Sequence, residues 1–172
     1  TYAAAVEAFL AFFPLFGLQV GLGEVRSLSL LTAFGLGGVL LQMPLGWLAD
    51  HVDRQRMLLA CILLTALGCM ALPSLITLKP VAPIFAFGLG GVEGMIYVMG
   101  VILLGQRFRG VELATASVVF TTMWGAGAMI GPAAVGLGMD LFGDQVMPFL
   151  IAGLYALYLP VMWVFWRGRG DV

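Results

Sequence analysis

Charged residues are scarce in this chain. Only 10% of its 172 residues are charged, whereas 62% are hydrophobic, and an average soluble domain carries about 25% charged residues. The long runs without any charge include 57–78, 113–139 and 145–166. Such runs match the roughly 20 apolar residues that a helix needs to cross the hydrocarbon core of a bilayer. The scarcity of charge therefore excludes an ordinary soluble domain and predicts a polytopic membrane protein.

Cysteines, basic stripes and catalytic motifs are also rare or missing. Cys61 and Cys69 lie on one predicted helix with their backbones about 12 Å apart, which is too far for a disulfide, so we expect them to be packing residues. No basic stripe supports binding to nucleic acid. No nucleotide-binding loop or organised nucleophile is present, and His51 has no second metal ligand nearby. We therefore expect no enzyme, no cofactor and no metal site.

The apolar runs predict six transmembrane helices and no soluble domain. Their expected bounds are 1–23, 27–49, 57–78, 80–106, 113–139 and 145–166. We expect residues 1–168 to form one all-α transmembrane domain and 169–172 a cytoplasmic tail. Lys and Arg are retained preferentially in cytoplasmic loops. Placing Thr1 in the cytoplasm puts most of them on that side, namely Arg54, Arg56, Arg107, Arg109, Arg167 and Arg169, and leaves only Arg26 and Lys79 outside. Both termini are therefore expected in the cytoplasm.

The chain matches itself at an offset of 90 residues. Four residues of the second predicted helix align with four of the fifth: Gly35, Gly37, Gly46 and Asp50 with Gly125, Gly127, Gly136 and Asp140. Because each unit contains three helices, an odd number, the second copy must be inverted in the membrane. The pattern predicts two inverted three-helix repeats, as in one half of a secondary transporter.

Glycine is abundant, with 24 residues in 172, about twice its usual frequency. Three pairs have the small-xxx-small spacing: Gly17 and Gly21, Gly90 and Gly94, and Gly127 and Gly131. Such pairs let helix backbones approach closely in lipid. We expect helix packing or hinges at Gly90, Gly94, Gly127, Gly131, Pro132 and Gly136. Bends are expected at the prolines inside spans, which are Pro14, Pro44, Pro132 and Pro160.

A polar motif follows the second predicted helix. It reads Gly46-Trp47-Leu48-Ala49-Asp50-His51-Val52-Asp53-Arg54-Gln55-Arg56 and resembles the cytoplasmic loop signature of the major facilitator superfamily, G-x-L-A-D-x-x-x-R-x-R. Gly46 permits close approach to another helix, and Asp50 is suited to accept hydrogen bonds from a helix N-terminus. Arg54 and Arg56 offer planar forks to a carboxylate or to anionic lipid. The resemblance implies a gating latch, and the alternative is a loop that determines topology alone.

The resemblance extends along most of the chain. Residues 104–113, together with the glycines of the fifth predicted helix, resemble the tenth and eleventh helices of an uncharacterised bacterial subgroup of the superfamily. Residues 1–168 then correspond to helices seven to twelve. This implies a multi-pass protein of the bacterial inner membrane that pairs with an N-terminal six-helix half or with a second copy of itself. Because the chain begins inside an apolar run without Met, we expect it to be a piece of a longer protein.

Two acids lie inside predicted spans, Glu93 near the middle of the fourth and Glu7 in the first. A charged residue at the bilayer centre is unfavourable by about 3 kcal/mol, so Glu93 is expected to face the bundle interior or a wet cavity. A carboxyl group that gains and loses a proton is what proton coupling requires. The alternative is a structural acid that bonds to exposed backbone or to Tyr97. Gln42 and Trp124 are further candidates for the substrate cavity.

Other polar and aromatic residues in spans have more ordinary expected roles. Most of the polar ones are expected to form interhelical hydrogen bonds, namely Gln19, Gln42, Thr65, Ser117, Thr121, Thr122, Tyr155 and Tyr158. Interfacial positions are expected for Trp47, Trp163 and Trp166.

The leading functional hypothesis is half of a secondary transporter that moves a small molecule by alternating access and is driven by protons. Few charges line the expected cavity, which favours amphipathic molecules or metabolites as cargo. The alternative is a membrane scaffold or sensor that keeps the fold without transport. Glu93→Gln and Glu7→Gln distinguish the two, because a scaffold does not need a protonatable acid.

Overall fold

The computed structural model describes residues 1–160, and this part of the chain consists of helices and short turns without a β-strand. Its α-helices are, in chain order, α1 Tyr2–Gln19, α2 Glu24–Leu40, α3 Gln42–His51, α4 Arg54–Leu75, α5 Ala82–Arg107, α6 Gly110–Phe142 and α7 Met147–Ala156. A single 3₁₀ turn, Asp144–Val146, precedes α7. The prediction of an all-α membrane protein is confirmed at this level.

Four helices, α1, α4, α5 and α6, are each long and apolar enough to cross a membrane. The pair α2 and α3 makes a fifth span if the bend between them is counted as part of one crossing. With 26 and 33 residues, α5 and α6 are about 39 and 50 Å long, which exceeds the roughly 30 Å of the hydrocarbon core. The last predicted span, 145–166, extends past the described residues, and its described part contains α7.

The predicted second span, 27–49, is not one continuous helix. The chain breaks at Leu41, and α2 and α3 meet there at an angle of 42°. Pro44 gives the physical reason, because it has no N–H for the carbonyl of Leu40 and its ring clashes with that carbonyl. Two other prolines predicted to bend spans lie inside helices that continue past them: Pro14 and Pro132.

Glycines allow the closest contacts between helices. On α2, a Cβ added to Gly37 would overlap the carbonyl group of Phe87 on α5. On α5, a Cβ added to Gly90 would overlap the carbonyl group of Phe34 on α2. Gly94 lies against α2 one turn further along. The two backbones are therefore in direct contact, and only a residue without a side chain fits at Gly37 and Gly90.

The helices α1 and α6 approach each other in the same manner. A Cβ added to Gly131 would overlap the backbone of Ala4, and Gly127 lies against the same turn of α1. Further along α6, a Cβ on Gly136 would come within 3.1 Å of the ring of Phe12. These contacts align α6 along α1.

The core lies between α1, α2, α4, α5 and α7. Phe9 of α1 packs against Phe34 of α2 with ring centroids 4.6 Å apart, and Met95 and Met99 of α5 are fully buried. In addition, α4 packs against both α5 and α7. By contrast, α6 leaves a long apolar face exposed, which includes Val118, Val119, Met123, Met129 and Ile130. This face is available to lipid or to another membrane segment.

We expect Gly90→Ala to destabilise the fold by about 1–3 kcal/mol, because the added methyl group forces the α2 and α5 backbones apart. Gly88→Ala, on the same helix, is the matched control, since no atom of another part of the described chain lies within 4 Å of a Cβ added there. The measurement is the apparent melting temperature of the purified protein in detergent. Equal melting temperatures for the two variants would contradict the close contact.

Candidate substrate and proton site

Glu93 lies near the middle of α5, where three helices meet. Its side chain is buried, with 6% of its surface exposed. Tyr155 of α7 donates a hydrogen bond to Glu93 Oε1 over 3.4 Å. Tyr2 of α1 donates to the backbone carbonyl oxygen of Glu93, also over 3.4 Å. A buried acid needs such partners because an unpaired polar group in an apolar environment is strongly unfavourable, and these two bonds join α1, α5 and α7.

The hydrogen-bonding arrangement suits both protonation states of Glu93. Each bond is long for an O–H···O contact, and a carboxylate has about four lone-pair positions. A single hydroxyl donor on Oε1 therefore leaves room for a proton on the carboxyl group. The sequence-based alternative named Tyr97 as the partner of this acid, but the hydroxyl that donates to its carboxyl group is that of Tyr155. Tyr2 donates to the backbone oxygen of Glu93.

Aromatic rings form a wall beside the buried acid. Trp124 of α6 makes edge-to-face contacts with Tyr2 and with Tyr97, at centroid distances of 5.3 and 5.2 Å. Tyr97 follows Glu93 by one turn on α5 and lies 5.9 Å from the ring of Phe120. An open pocket of about 350 Å³ lies between α5 and α6 and is lined by Tyr97, Phe120, Thr121 and Trp124. This volume is in the range of small-molecule sites.

The structure brings together only some of the residues predicted to form the cavity. Tyr97 and Trp124 share the pocket, and Glu93 is one helical turn away from it. Glu7 is half-buried on α1. Gln42 begins α3 at the bend and is exposed, and no hydrogen bond within residues 1–160 joins it to this cluster.

Hydroxyl groups on α6 bond within their own helix. Each of three donates to the carbonyl four residues earlier, so the prediction of interhelical hydrogen bonds is wrong for Ser117, Thr121 and Thr122. The carbonyl of the preceding turn satisfies a Ser or Thr hydroxyl without any partner helix. Gln19 does bond across helices, because its side-chain amide donates to Asp144 and so joins α1 to the turn before α7.

The polar motif forms an exposed turn between α3 and α4. Asp50 pairs with Arg54 at 3.4 Å, and the backbone N–H of Arg56 donates to Asp53 Oδ1 at 2.9 Å. Within the described residues the helix N-terminus is thus capped by Asp53 and not by Asp50, because Asp53 directly precedes the first residue of α4. No neighbouring atom of residues 1–160 lies within 4 Å of a Cβ added to Gly46.

Sequence reasoning did not identify Tyr2, although it contacts both parts of the site. It is the first residue of α1, and its partner Glu93 is 91 residues away in sequence. No local pattern predicts a contact over that separation. Asp53 was recognisable, because an Asp directly before the first residue of a helix is a common N-cap.

Comparison with known proteins places the chain in a family. The model of the Major Facilitator Superfamily matches residues 1–171. The chain is 27% identical over 139 residues to the uncharacterized MFS-type transporter YfkF of Bacillus subtilis (strain 168), an alignment that covers 81% of this chain and 35% of that protein. It is 23% identical over 122 residues to the uncharacterized MFS-type transporter Ent638_1421 of Enterobacter sp. (strain 638), covering 71% of this chain and 31% of that protein. No solved structure gives a significant match.

These relatives are longer than the chain, which spans about a third of their length. The family match nevertheless runs over almost every residue, and it agrees with the apolar helices and with the motif between α3 and α4. The chain belongs to the Major Facilitator Superfamily, a family of membrane transporters.

Proposed function

We propose that the chain is the C-terminal six-helix half of a secondary transporter, which moves a small molecule by alternating access and is driven by protons that bind at Glu93. The observation that carries the proposal is the position of this acid. It is buried in the middle of an apolar helix, bonded to tyrosines of two other helices and adjacent to an aromatic pocket. Intramembrane acids in such places commonly belong to proton or substrate pathways.

Helix pairing supports the half-transporter arrangement. If α1–α4 and α5–α7 are two inverted units related by a pseudo-two-fold axis, each contact between spans of the two units must have a symmetry equivalent. A contact between the second span of one unit and the first span of the other must therefore occur in both directions. The observed pairs are α2 with α5 and α6 with α1, and the third spans, α4 and α7, pack against each other. Gly37 and Gly127, which are 90 residues apart, both lie at these close contacts.

A second half supplies the other wall of the cavity in this proposal. The aromatic pocket is open, and the apolar face of α6 is unpartnered among the described helices. The expected partner is the N-terminal six-helix half, and a second copy of this half is the alternative, because an axis along the membrane normal relates the two halves. The complete protein lies in the bacterial inner membrane with both termini and the motif of Asp50 in the cytoplasm.

The ability of Glu93 to keep its hydrogen-bond partner in either protonation state supports the proposed proton coupling. The Tyr155 hydroxyl donates to a carboxylate oxygen or to the carbonyl oxygen of a neutral carboxyl group. Uptake of a proton therefore does not require loss of this bond. Because Tyr2 and Tyr155 belong to α1 and α7, movement of either helix changes the surroundings of the carboxyl group. Glu7 is the second candidate for the proton path.

We expect Glu93→Gln to abolish proton-driven transport while leaving insertion and folding intact, because glutamine is isosteric but does not titrate. The complete protein is reconstituted in liposomes that contain a pH-sensitive dye and is challenged with a panel of small metabolites and amphipathic compounds. A compound that evokes proton flux with the native protein should evoke none with the variant. Glu112→Gln, an exposed acid in the first turn of α6, is the control. Normal flux with Glu93→Gln would refute the assigned role and favour a scaffold or a structural acid.

We expect Tyr155→Phe in the otherwise native protein to lower the melting temperature. The expected loss in the free energy of unfolding is about 1 kcal/mol, because one hydrogen bond is lost. In a Glu93→Met background the same change should have little effect, because the acceptor is already absent. Tyr158→Phe is the control in both backgrounds. Equal effects of Tyr155→Phe in the two backgrounds would show that its hydroxyl does not stabilise the acid.

We expect Asp50→Asn to reduce transport without affecting insertion, because it removes the anion that pairs with Arg54 in the proposed latch. Such a contact is worth about 0.3–1 kcal/mol. Asp53→Asn is the matched control, since asparagine caps a helix as well as aspartate does. The measurements are proton flux and thiol labelling of a cysteine introduced beside the motif. If Asp50→Asn changes neither, the loop determines topology only.

A further inference from the structure

An acidic residue lies one helical turn from the aromatic pocket. Glu93 precedes Tyr97 by one helical turn on α5. The nearest cation along α5 is Arg107, at the end of that helix, about 15 Å from Tyr97 at 1.5 Å per residue. No charged side chain of the described residues lines the pocket itself. The pocket is therefore electrostatically suited to a positive ligand rather than to an anion.

The Thr121 hydroxyl and the faces of the aromatic rings have the same preference, whereas the indole N–H of Trp124 can only donate. Thr121 donates its hydroxyl hydrogen to the carbonyl oxygen of Ser117 over 2.9 Å, so its oxygen has only lone pairs left to offer a ligand. Tyr97, Phe120 and Trp124 supply rings whose faces are electron-rich and attract cations and polarised N–H groups. A ligand with positive charge and an N–H donor satisfies both kinds of group.

We infer that the pocket lined by Tyr97, Phe120, Thr121 and Trp124 binds a planar aromatic cation that bears an amino group. The ring system of the ligand packs among the three aromatic side chains, and its amino group donates to Thr121 Oγ1. Its positive charge lies toward Glu93. This inference names the substrate class of the transporter proposed above and rests on that proposal.

Tyr2 explains how the pocket and the acid form one site although they lie on different helices. Its ring contacts Trp124, and its hydroxyl donates to the backbone oxygen of Glu93. Tyr2 thus bridges a ring of the pocket and the residue that carries the acid. A positive ligand in the pocket experiences the field of Glu93 through this low-dielectric contact.

The test is equilibrium binding to the complete protein, purified in detergent, by isothermal titration calorimetry without any ion gradient. Three ligands share one ring system and differ in charge: 1-methylquinolinium, quinoline and quinoline-2-carboxylate. We expect the cation to bind about tenfold more tightly than either of the others. Trp124→Leu should weaken binding of the cation by a similar factor. Phe149→Leu, an exposed aromatic residue of α7 outside the pocket, should leave it unchanged.

A fourth ligand, 4-amino-1-methylquinolinium, tests the role of Thr121. It should bind more tightly than 1-methylquinolinium, by about fivefold, and Thr121→Val should remove this advantage. Because the two affinities are compared on one preparation, this result stands even if Trp124→Leu does not fold. Three results would each overturn the inference. The first is equal affinity for the cation and the carboxylate, and the second is an unchanged affinity for the cation in Trp124→Leu. The third is that the amino group does not increase the affinity, or that it still does so in Thr121→Val. Equilibrium binding does not depend on proton flux. If the cation does not bind, only this inference is refuted. If the cation binds but evokes no proton flux, only the proposed proton coupling is refuted.

Discussion

Direct backbone contact between helices that carry glycine is the interaction on which the rest of this structure depends. In a bilayer, burial of apolar surface between helices gains little, because lipid tails are as apolar as leucine side chains. Association then depends on close packing, which requires small residues. Gly37 and Gly90 provide it between α2 and α5, and Gly131 provides it between α1 and α6. These two contacts fix the positions of the helices that carry the candidate site.

The buried acid follows from that packing. The glycine contacts bring α5 into the centre of the bundle, where it packs against α2 and α4 and meets residues of α1 and α7 at Glu93. The carboxyl group is thereby removed from lipid, and it accepts a hydrogen bond from the Tyr155 hydroxyl. An acid on α6 at the same depth would face outward, since few residues of that helix are buried. The proposed proton site is thus possible on α5 because of its place in the bundle.

The aromatic pocket has a related origin. Because α5 packs against α2 and α4 while α6 packs against α1, the two helices diverge and leave space between their middle parts. Large rings from both helices occupy the edges of this space. The same divergence leaves Thr121 without a partner on α5, so its hydroxyl bonds to its own helix and presents an oxygen to the pocket. A single feature of the packing therefore produces both the volume and the polarity of the site.

The sequence by itself determined the membrane class, the family and the cost of placing Glu93 in a span, because hydropathy and motif spacing are local properties. It also predicted the bend at Pro44. The signal for the helix cap at Asp53 was present as well, but our interpretation of the motif missed it. Only the tertiary structure decided which groups satisfy the acid and which residues line the pocket. The partners of Glu93 are 91 and 62 residues distant in sequence. The hydroxyl groups of Ser117, Thr121 and Thr122 donate to carbonyls of their own helix rather than to a neighbouring helix. Such choices depend on the distance and angle between helices, which no local pattern of residues encodes.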